Sequence, residues 1–178
     1  MDRLKRADSV LIIVAGVSGS GKSTIGRLLA AALDWPFFEG DDFHPADNIQ
    51  KMRSGISLSD ADRKQWLTPL KAQIRVLRKA GQSAVISCFA LKRSYRDALS
   101  EDHDQVFFVF LKADRDTIRR RLQGRTGHFF PPELMESQFR ELEEPGNALV
   151  LDAALPPDRL VKMIAEEYNL KRNLMDQT

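Results

Sequence analysis

Residues 16–23 read Gly-Val-Ser-Gly-Ser-Gly-Lys-Ser and satisfy the pattern G-x-x-x-x-G-K-[ST] at every fixed position. An apolar run, Val10-Leu-Ile-Ile-Val-Ala15, leads into this stretch, and a segment of helical pattern, Thr24 to Leu33, leaves it. A strand, a glycine-rich turn and a helix in that order wrap a polyphosphate in backbone N–H groups, with the positive end of the helix behind it. Gly16, Gly19 and Gly21 are expected to keep side chains out of the way. Lys22 would neutralise the β- and γ-phosphates of a nucleotide, and Ser23 would place its hydroxyl on Mg²⁺. The nucleotide-binding set predicted here is Gly16, Val17, Ser18, Gly19, Ser20, Gly21, Lys22, Ser23 and Thr24, with Ser23 as the metal ligand.

A chain built around such a loop should alternate strands with helices. Strand-like runs occur at Ser9 to Ala15, Pro36 to Glu39, Ser83 to Cys88, Gln105 to Leu111 and Ala148 to Leu151, with helical stretches between most of them. Runs as continuous as Val106-Phe-Phe-Val-Phe-Leu111 call for burial on both faces, hence a parallel sheet between two helical layers. The expectation is a three-layer α/β fold with five parallel strands in a single domain spanning 1–178. Two segments interrupt the alternation. Asp41 to Thr68 is polar and delays the next strand, which predicts an inserted helical segment covering the sheet's edge. Thr126 to Pro145 separates the helix Arg115 to Gly124 from the last strand and predicts a lid. Asn169 to Thr178 reads as a frayed polar tail.

Charge and cysteine content narrow the partners. Lys plus Arg number 27 against 25 Asp plus Glu, a net charge of +2, so there is no global field to recruit nucleic acid or a membrane. The run Val10 to Val17 is far short of the roughly 20 residues of a membrane span, and no small-residue cleavage site follows it. The single cysteine, Cys88, has no internal partner and suits a reducing compartment. A cytoplasmic protein acting on a small molecule is expected.

Three uses of a bound nucleotide compete: a GTPase switch, an ATPase coupled to motion, and phosphoryl transfer to a small acceptor. The N-K-x-D and D-x-x-G strings of GTPases do not occur. The run Ser83 to Cys88 ends without the acidic pair of a coupling ATPase. The second strand instead runs straight into Gly40-Asp41-Asp42. Parallel strands deliver their C-terminal ends to the ligand crevice, so one of these acids could take an acceptor's hydroxyl proton or organise Mg²⁺; capping the next helix is the plainer alternative. Asp41, first off the strand, is the better candidate. Further on, Arg121 and Arg125 are four residues apart in a helical pattern, which puts them on one face, suited to adenine stacking and phosphate contact just before the lid. A solvated basic face paired with Asp114 and Asp116 is the alternative.

Taken together, "GVSGSGKS", "EGDDFHPADNIQKMRSGISLSDADRKQWL", "CFALKRSYRD", "GRTGHFF" and "QFRELEEP" resemble the gluconate kinase (gluconokinase) family of P-loop small-molecule kinases, over roughly residues 10 to 165. The pairing of Gly40-Asp41-x-x-His44-Pro45 with Ala90-Leu91-Lys92-x-x-Tyr95-Arg96-Asp97 and Gly127-His128-Phe129-Phe130 is the specific part. The resemblance implies transfer of phosphate from ATP to the 6-hydroxyl of D-gluconate, with Mg²⁺ as cofactor, on a shikimate-kinase-like fold and often as a homodimer. It implies Lys22, Asp41 and Arg125 as catalytic residues. A shikimate- or nucleotide-type kinase, and a non-catalytic ATP-binding regulator, are the alternatives. The chain departs from the family at Phe89, where a small hydroxyl residue is usual; the ring would pack against a neighbour or narrow the acceptor pocket.

Gluconate carries a carboxylate at one end and the reactive alcohol at the other, so its site needs a cation and a base. Arg53, Arg63 and Lys64 in the covering segment and Lys92 and Arg93 after the third strand are the cations on offer; Arg53, Arg63 and Lys92 are taken as candidates, with Arg63 favoured because a planar guanidinium pairs bidentately with a carboxylate and by similarity to shikimate kinases. His44 and His128 are candidates to hydrogen-bond the substrate. Trp35, Trp66 and the phenylalanines at 37, 38, 107, 108 and 110 read as core.

Overall fold

A computed structural model describes residues 9–100, 105–124 and 132–175. Five strands, β1 (Leu11–Ala15), β2 (Phe37–Glu39), β3 (Ala84–Cys88), β4 (Val106–Lys112) and β5 (Leu149–Asp152), form one sheet in the order β2-β3-β1-β4-β5, every pairing parallel. Each falls within a residue or two of its expected position. Helices α1 (Lys22–Leu33), α2 (Ala46–Arg53), α3 (Asp60–Lys79), α4 (Arg93–Ser100), α5 (Arg115–Gln123), α6 (Pro132–Glu141) and α7 (Pro157–Met175) surround it.

The central strand explains the three layers. Side chains alternate across a strand, and in β1 both sets are buried. Leu11, Ile13 and Ala15 join Trp66, Leu70 and Ile74 of α3 and Leu99 of α4. Ile12 and Val14 join Ile25 and Leu29 of α1 and Leu160 and Ile164 of α7. Two cores therefore share one sheet. Because all strands run the same way, their C-terminal ends lie along one edge, where the loop after β1, a 3₁₀ turn (Gly40–Phe43) after β2 and the segment after β3 converge.

Two expectations about chain segments change. Helix α3 runs unbroken through Thr68, so residues 41–68 end inside the helix that crosses from β2 to β3. Pro69 does not stop it: the residue is on the exposed side, where water can serve the carbonyl it leaves unpaired. The polar tail expected from Asn169 instead continues α7 to Met175, since Leu170, Lys171, Arg172, Leu174 and Met175 all favour helix and no glycine or proline intervenes.

The covering segment is braced at the start of α3. Ser59 accepts a hydrogen bond from the Asp62 N–H at 3.2 Å while Asp62 accepts from the Ser59 N–H at 2.9 Å, a capping box with aspartate in place of glutamate. Lys51 of α2 donates to the same carboxylate at 2.7 Å, and the buried Asn48 amide donates to the Asp62 carbonyl at 2.9 Å. The bonds to its carboxylate, led by that from Lys51 and followed by those from Ser59, hold the Asp62 carboxyl down to about 2 from the usual 3.8. Its folded-state value lies below its unfolded one, so the stabilisation is present above about pH 4 and is lost as pH falls through about 2. Asp62→Asn should therefore lower the melting temperature at neutral pH. The gap from wild type, measured by circular dichroism, should close between about pH 4 and 2. A gap independent of pH would remove the ion pair from the explanation.

Candidate active site

The loop between β1 and α1 has the conformation that phosphate binding needs, but its glycines divide the work. Gly21 sits at φ 99°, a left-handed backbone that favours glycine, and a Cβ there would meet nothing within 4 Å. It alone of the three faces open space. A Cβ on Gly16 would strike the Ser20 hydroxyl and the Leu111 carbonyl, and one on Gly19 would press on Leu122. These two glycines thus make room for the loop's own packing on β4 and α5. The first turn of α1 has no acidic residue and no side-chain cap, so its amide groups are left for an anion. The buried Ser20 hydroxyl has no hydrogen-bond partner. A cradle of unsatisfied donors with Gly21 open before it fits a nucleotide polyphosphate. Lys22 folds its ammonium onto the Val17 carbonyl at 3.1 Å, Ser23 is half-buried in the first turn of α1, and Thr24 is exposed.

Asp41 is held at the same edge by its neighbour. Gly40 is buried so tightly against Ser87 and Cys88 of β3 that no side chain would fit, and its carbonyl accepts a hydrogen bond from the Trp66 indole at 2.7 Å. Asp41 thus leaves β2 from a fixed point, with its side chain exposed. Cys88 reports what surrounds that point. Its fully buried thiol is pushed up to about 12, first by burial, and it feels both the Asp41 carboxylate and the Lys22 ammonium. The loop that carries Lys22 follows β1 and the turn that carries Asp41 follows β2, so both lie at the C-terminal edge of the sheet. Asp42 caps nothing: the residue before α2 is Pro45, which offers no side-chain acceptor.

His44 belongs to the same group. Its ring stacks on Trp66 at 5.2 Å between centroids, and the Asn48 amide approaches Nδ1 at 3.4 Å, which places the ring proton on Nε2. Burial pushes the imidazole below its usual 6.5; Asp41 opposes this and Arg63 adds to it. The ring is therefore neutral at pH 7.

The three candidate cations separate. Arg63, on α3, is only 6% exposed. Its Nη1 donates to the Glu141 carboxylate of α6 and, at 3.3 Å, to the Tyr95 hydroxyl of α4. The rings of Phe89 and Tyr95 flank the guanidinium, with its carbon 5.3 and 5.8 Å from their centroids. Burial opposes its charge, but the bonds to Glu141 and Tyr95 outweigh burial and raise its pKa. Nε and Nη2 have no partner among the described residues, so one edge of the fork is uncommitted. Lys92 donates to Asp60 at 2.6 Å, and Tyr95 donates to the same oxygen at 2.7 Å, so Lys92 reaches Arg63 only through that chain of bonds. Its bond holds the Asp60 carboxyl below the usual carboxylate range. Arg53 is exposed in the last turn of α2 and takes no part in this chain among the described residues.

Of the arginine pair, Arg121 lies in the last turn of α5, which ends at Gln123 with Gly124 as its cap; Arg125 and His128 lie outside the described residues. Arg121 braces the phosphate loop. It donates to the Ser20 carbonyl at 3.3 Å and to Ala153, just past β5, at 2.6 Å. Asp114 caps α5 through the Thr117 N–H at 2.8 Å, and Asp116 pairs with Arg119 at 3.0 Å, neither with Arg121. Tyr95, Gln138 and Glu141 were not singled out from sequence. They lie within the strings "CFALKRSYRD" and "QFRELEEP", which carry the residues without their partners.

A family model described as Shikimate kinase matches residues 18–148, from the phosphate loop to the threshold of β5. The chain is similar to Thermoresistant gluconokinase of Escherichia coli (strain K12), 40% identical over 163 residues that cover 89% of this chain and 93% of that protein. It is also similar to Gluconokinase of Gluconobacter oxydans (strain 621H), 46% identical over 136 residues and 76% of each. A gluconokinase crystal structure from Sinorhizobium meliloti 1021 superimposes with a TM-score of 0.84 at 39% identity, covering 98% of this chain and 99% of that one. Shikimate kinase from Aquifex aeolicus, at a TM-score of 0.58 and 21% identity, shares the fold. By identity of this extent over most of its length, the chain belongs to the gluconokinase family of P-loop kinases.

Proposed function

We propose that the protein transfers the γ-phosphoryl group of ATP to the 6-hydroxyl of D-gluconate, giving 6-phosphogluconate and ADP. The observation that carries this reading is Arg63: a buried guanidinium with one edge committed and one open, on a site whose other members are a phosphate loop and Asp41. An acceptor with an anion at one end and an alcohol at the other fits that arrangement. Relatives 40–48% identical named as gluconokinases support the choice of acid.

In this reading Lys22 leaves the Val17 carbonyl for the β- and γ-phosphate oxygens, and the N–H groups of the first turn of α1, with the Ser20 hydroxyl, hold the rest. Ser23 would hold Mg²⁺, which would offset the charge that builds on the phosphates. The open edge of Arg63 binds the carboxylate of gluconate. Neutral His44 hydrogen-bonds a hydroxyl of the chain through Nε2. Asp41 accepts the proton of the 6-hydroxyl as the bond from O6 to phosphorus forms and the bond to the leaving ADP oxygen breaks. Arg121 keeps the loop in shape from behind, and Arg125 and His128 are assigned to the nucleotide and substrate from the lid. We place the enzyme in the cytoplasm, as a homodimer.

ADP release should be measured with gluconate, shikimate and nucleoside monophosphates as acceptors. The expected result is turnover with gluconate alone. Turnover with another acceptor would reassign the substrate, and tight ATP binding without acceptor-dependent ADP would make the protein a regulator. Arg63→Lys, which keeps the charge but loses the fork, should raise KM for gluconate by about tenfold or more with little change in KM for ATP. An unchanged KM would move the carboxylate to another cation.

A further inference from the structure

Gln138 and Glu141 are three residues apart on α6, neighbours on one face of the helix, and each is bonded to a different half of the site. Gln138 commits both ends of its amide to Ser18 of the phosphate loop: Oε1 accepts from the Ser18 N–H at 2.7 Å, and Nε2 donates to the Ser18 hydroxyl at 2.9 Å. One turn on, Glu141 holds Nη1 of Arg63. The helix that carries them is itself anchored. Leu134 and Met135 are 7% and 4% exposed, and Met135 lies in the same core cluster as Trp66 and Tyr95. Just past α6, the Glu143 carboxylate accepts from the Arg93 N–H at 2.6 Å, and the Glu143 N–H donates to the Leu91 carbonyl at 3.1 Å.

A flexible acceptor makes this connection matter. An open-chain acid has no rigid frame to place its far alcohol once its carboxylate is held, so the distance from anchor to phosphate must come from the protein. A misplacement of about 1 Å can cost a factor of 10² in rate. The phosphate loop and Arg63 belong to different elements, one after β1 and one on α3. Gln138 and Glu141 join them through a single turn of a third.

We infer that Gln138 and Glu141 are positioning residues that make α6 a ruler between the phosphate loop and Arg63, setting the length of acid the enzyme can phosphorylate. The inference rests on the reading of Arg63 as the carboxylate anchor. Glu141 fixes Nη1 so that Nε and Nη2 point the acid in one direction; Gln138 fixes where the loop presents its phosphate relative to that direction. Neither residue touches the reacting atoms. Their loss should therefore show as weakened choice among acids of different length.

The test compares wild type, Glu141→Gln and Gln138→Ala as full-length proteins. Steady-state kinetics are run with gluconate, a five-carbon aldonate and a seven-carbon aldonate, and melting temperatures are measured alongside. Glu141→Gln should raise KM for gluconate about tenfold with KM for ATP within about twofold, and Gln138→Ala should lower kcat about tenfold. In both, the preference in kcat/KM for the six-carbon acid over the other two should narrow about tenfold or more. Equal losses on all three acids would leave α6 a merely structural element and overturn the inference. So would a lower KM for gluconate in Glu141→Gln, which would make Glu141 a competitor for Arg63. Should either variant fail to fold, Glu141→Asp and Gln138→Met are read by the same preference ratio. An unchanged gluconate KM in Arg63→Lys would refute the anchor instead, and so distinguishes that failure from this one.

Discussion

Lys22→Ala should lower kcat by about 10³-fold or more while leaving the fold intact. Phosphoryl transfer is mostly positioning and charge stabilisation, and one preorganised donor to developing charge is worth about 10²–10³ in rate. Lys22 adds a full charge to that role, which places it at or above the upper end. Its ammonium rests on the Val17 carbonyl, within the phosphate loop itself, so it needs no reach across the molecule to serve that loop. Initial rates of ADP release at saturating gluconate and ATP, with a melting curve as control, check this. Turnover within about threefold of wild type would mean that the loop is not the catalytic phosphate site.

Asp41→Asn should lower gluconate-dependent kcat by about 10²–10⁴, the range of a positioned general base, with ATP affinity little changed. The lower end is expected, because a loose transition state needs little deprotonation of the alcohol early on. The structure makes the substitution a clean one: the Asp41 side chain is exposed, and it is the backbone carbonyl, at 3.2 Å from the His44 N–H, that holds the turn. Asp42→Asn, one residue on, should keep most of its rate. If the two results are exchanged, Asp42 is the base. If ATP binding collapses in Asp41→Asn, the carboxylate serves Mg²⁺ and the proton goes elsewhere.

The phosphate loop, the five parallel strands and the Asp41 turn were legible in the chain because each depends on short-range pattern. Fixed glycines demand a particular backbone, a lysine and a serine follow at fixed spacing, and continuous apolar runs leave a strand no solvated face. The same local logic misplaced the ends of elements. Asn169 reads as tail by polarity, yet α7 goes on to Met175. Gly16 and Gly19 read as phosphate contacts because the motif names them, while their neighbours Leu111 and Leu122 are nearly a hundred residues or more away and give them a packing role.

What Arg63 does was decided by the fold. Sequence favoured Arg63 over Arg53 and Lys92 by the geometry of its guanidinium and by similarity, but gave none of its partners. Folding buried the first turns of α3 against α4 and α6, bonded Lys92 to Asp60, left Arg53 in solvent, and set Arg63 between Phe89, Tyr95 and Glu141. Tyr95 and Glu141 are 32 and 78 residues from Arg63, and Gln138 is 120 from Ser18. Periodicity and spacing act over a few turns of chain, whereas pairings at such separations exist only once the sheet has brought its loops to one edge. The chain by itself therefore determined which phosphate chemistry it can perform, through a loop whose geometry is local. Only the tertiary structure decided what surrounds Arg63 and which edge of its fork stays open, because that depends on which charges are already matched by distant partners.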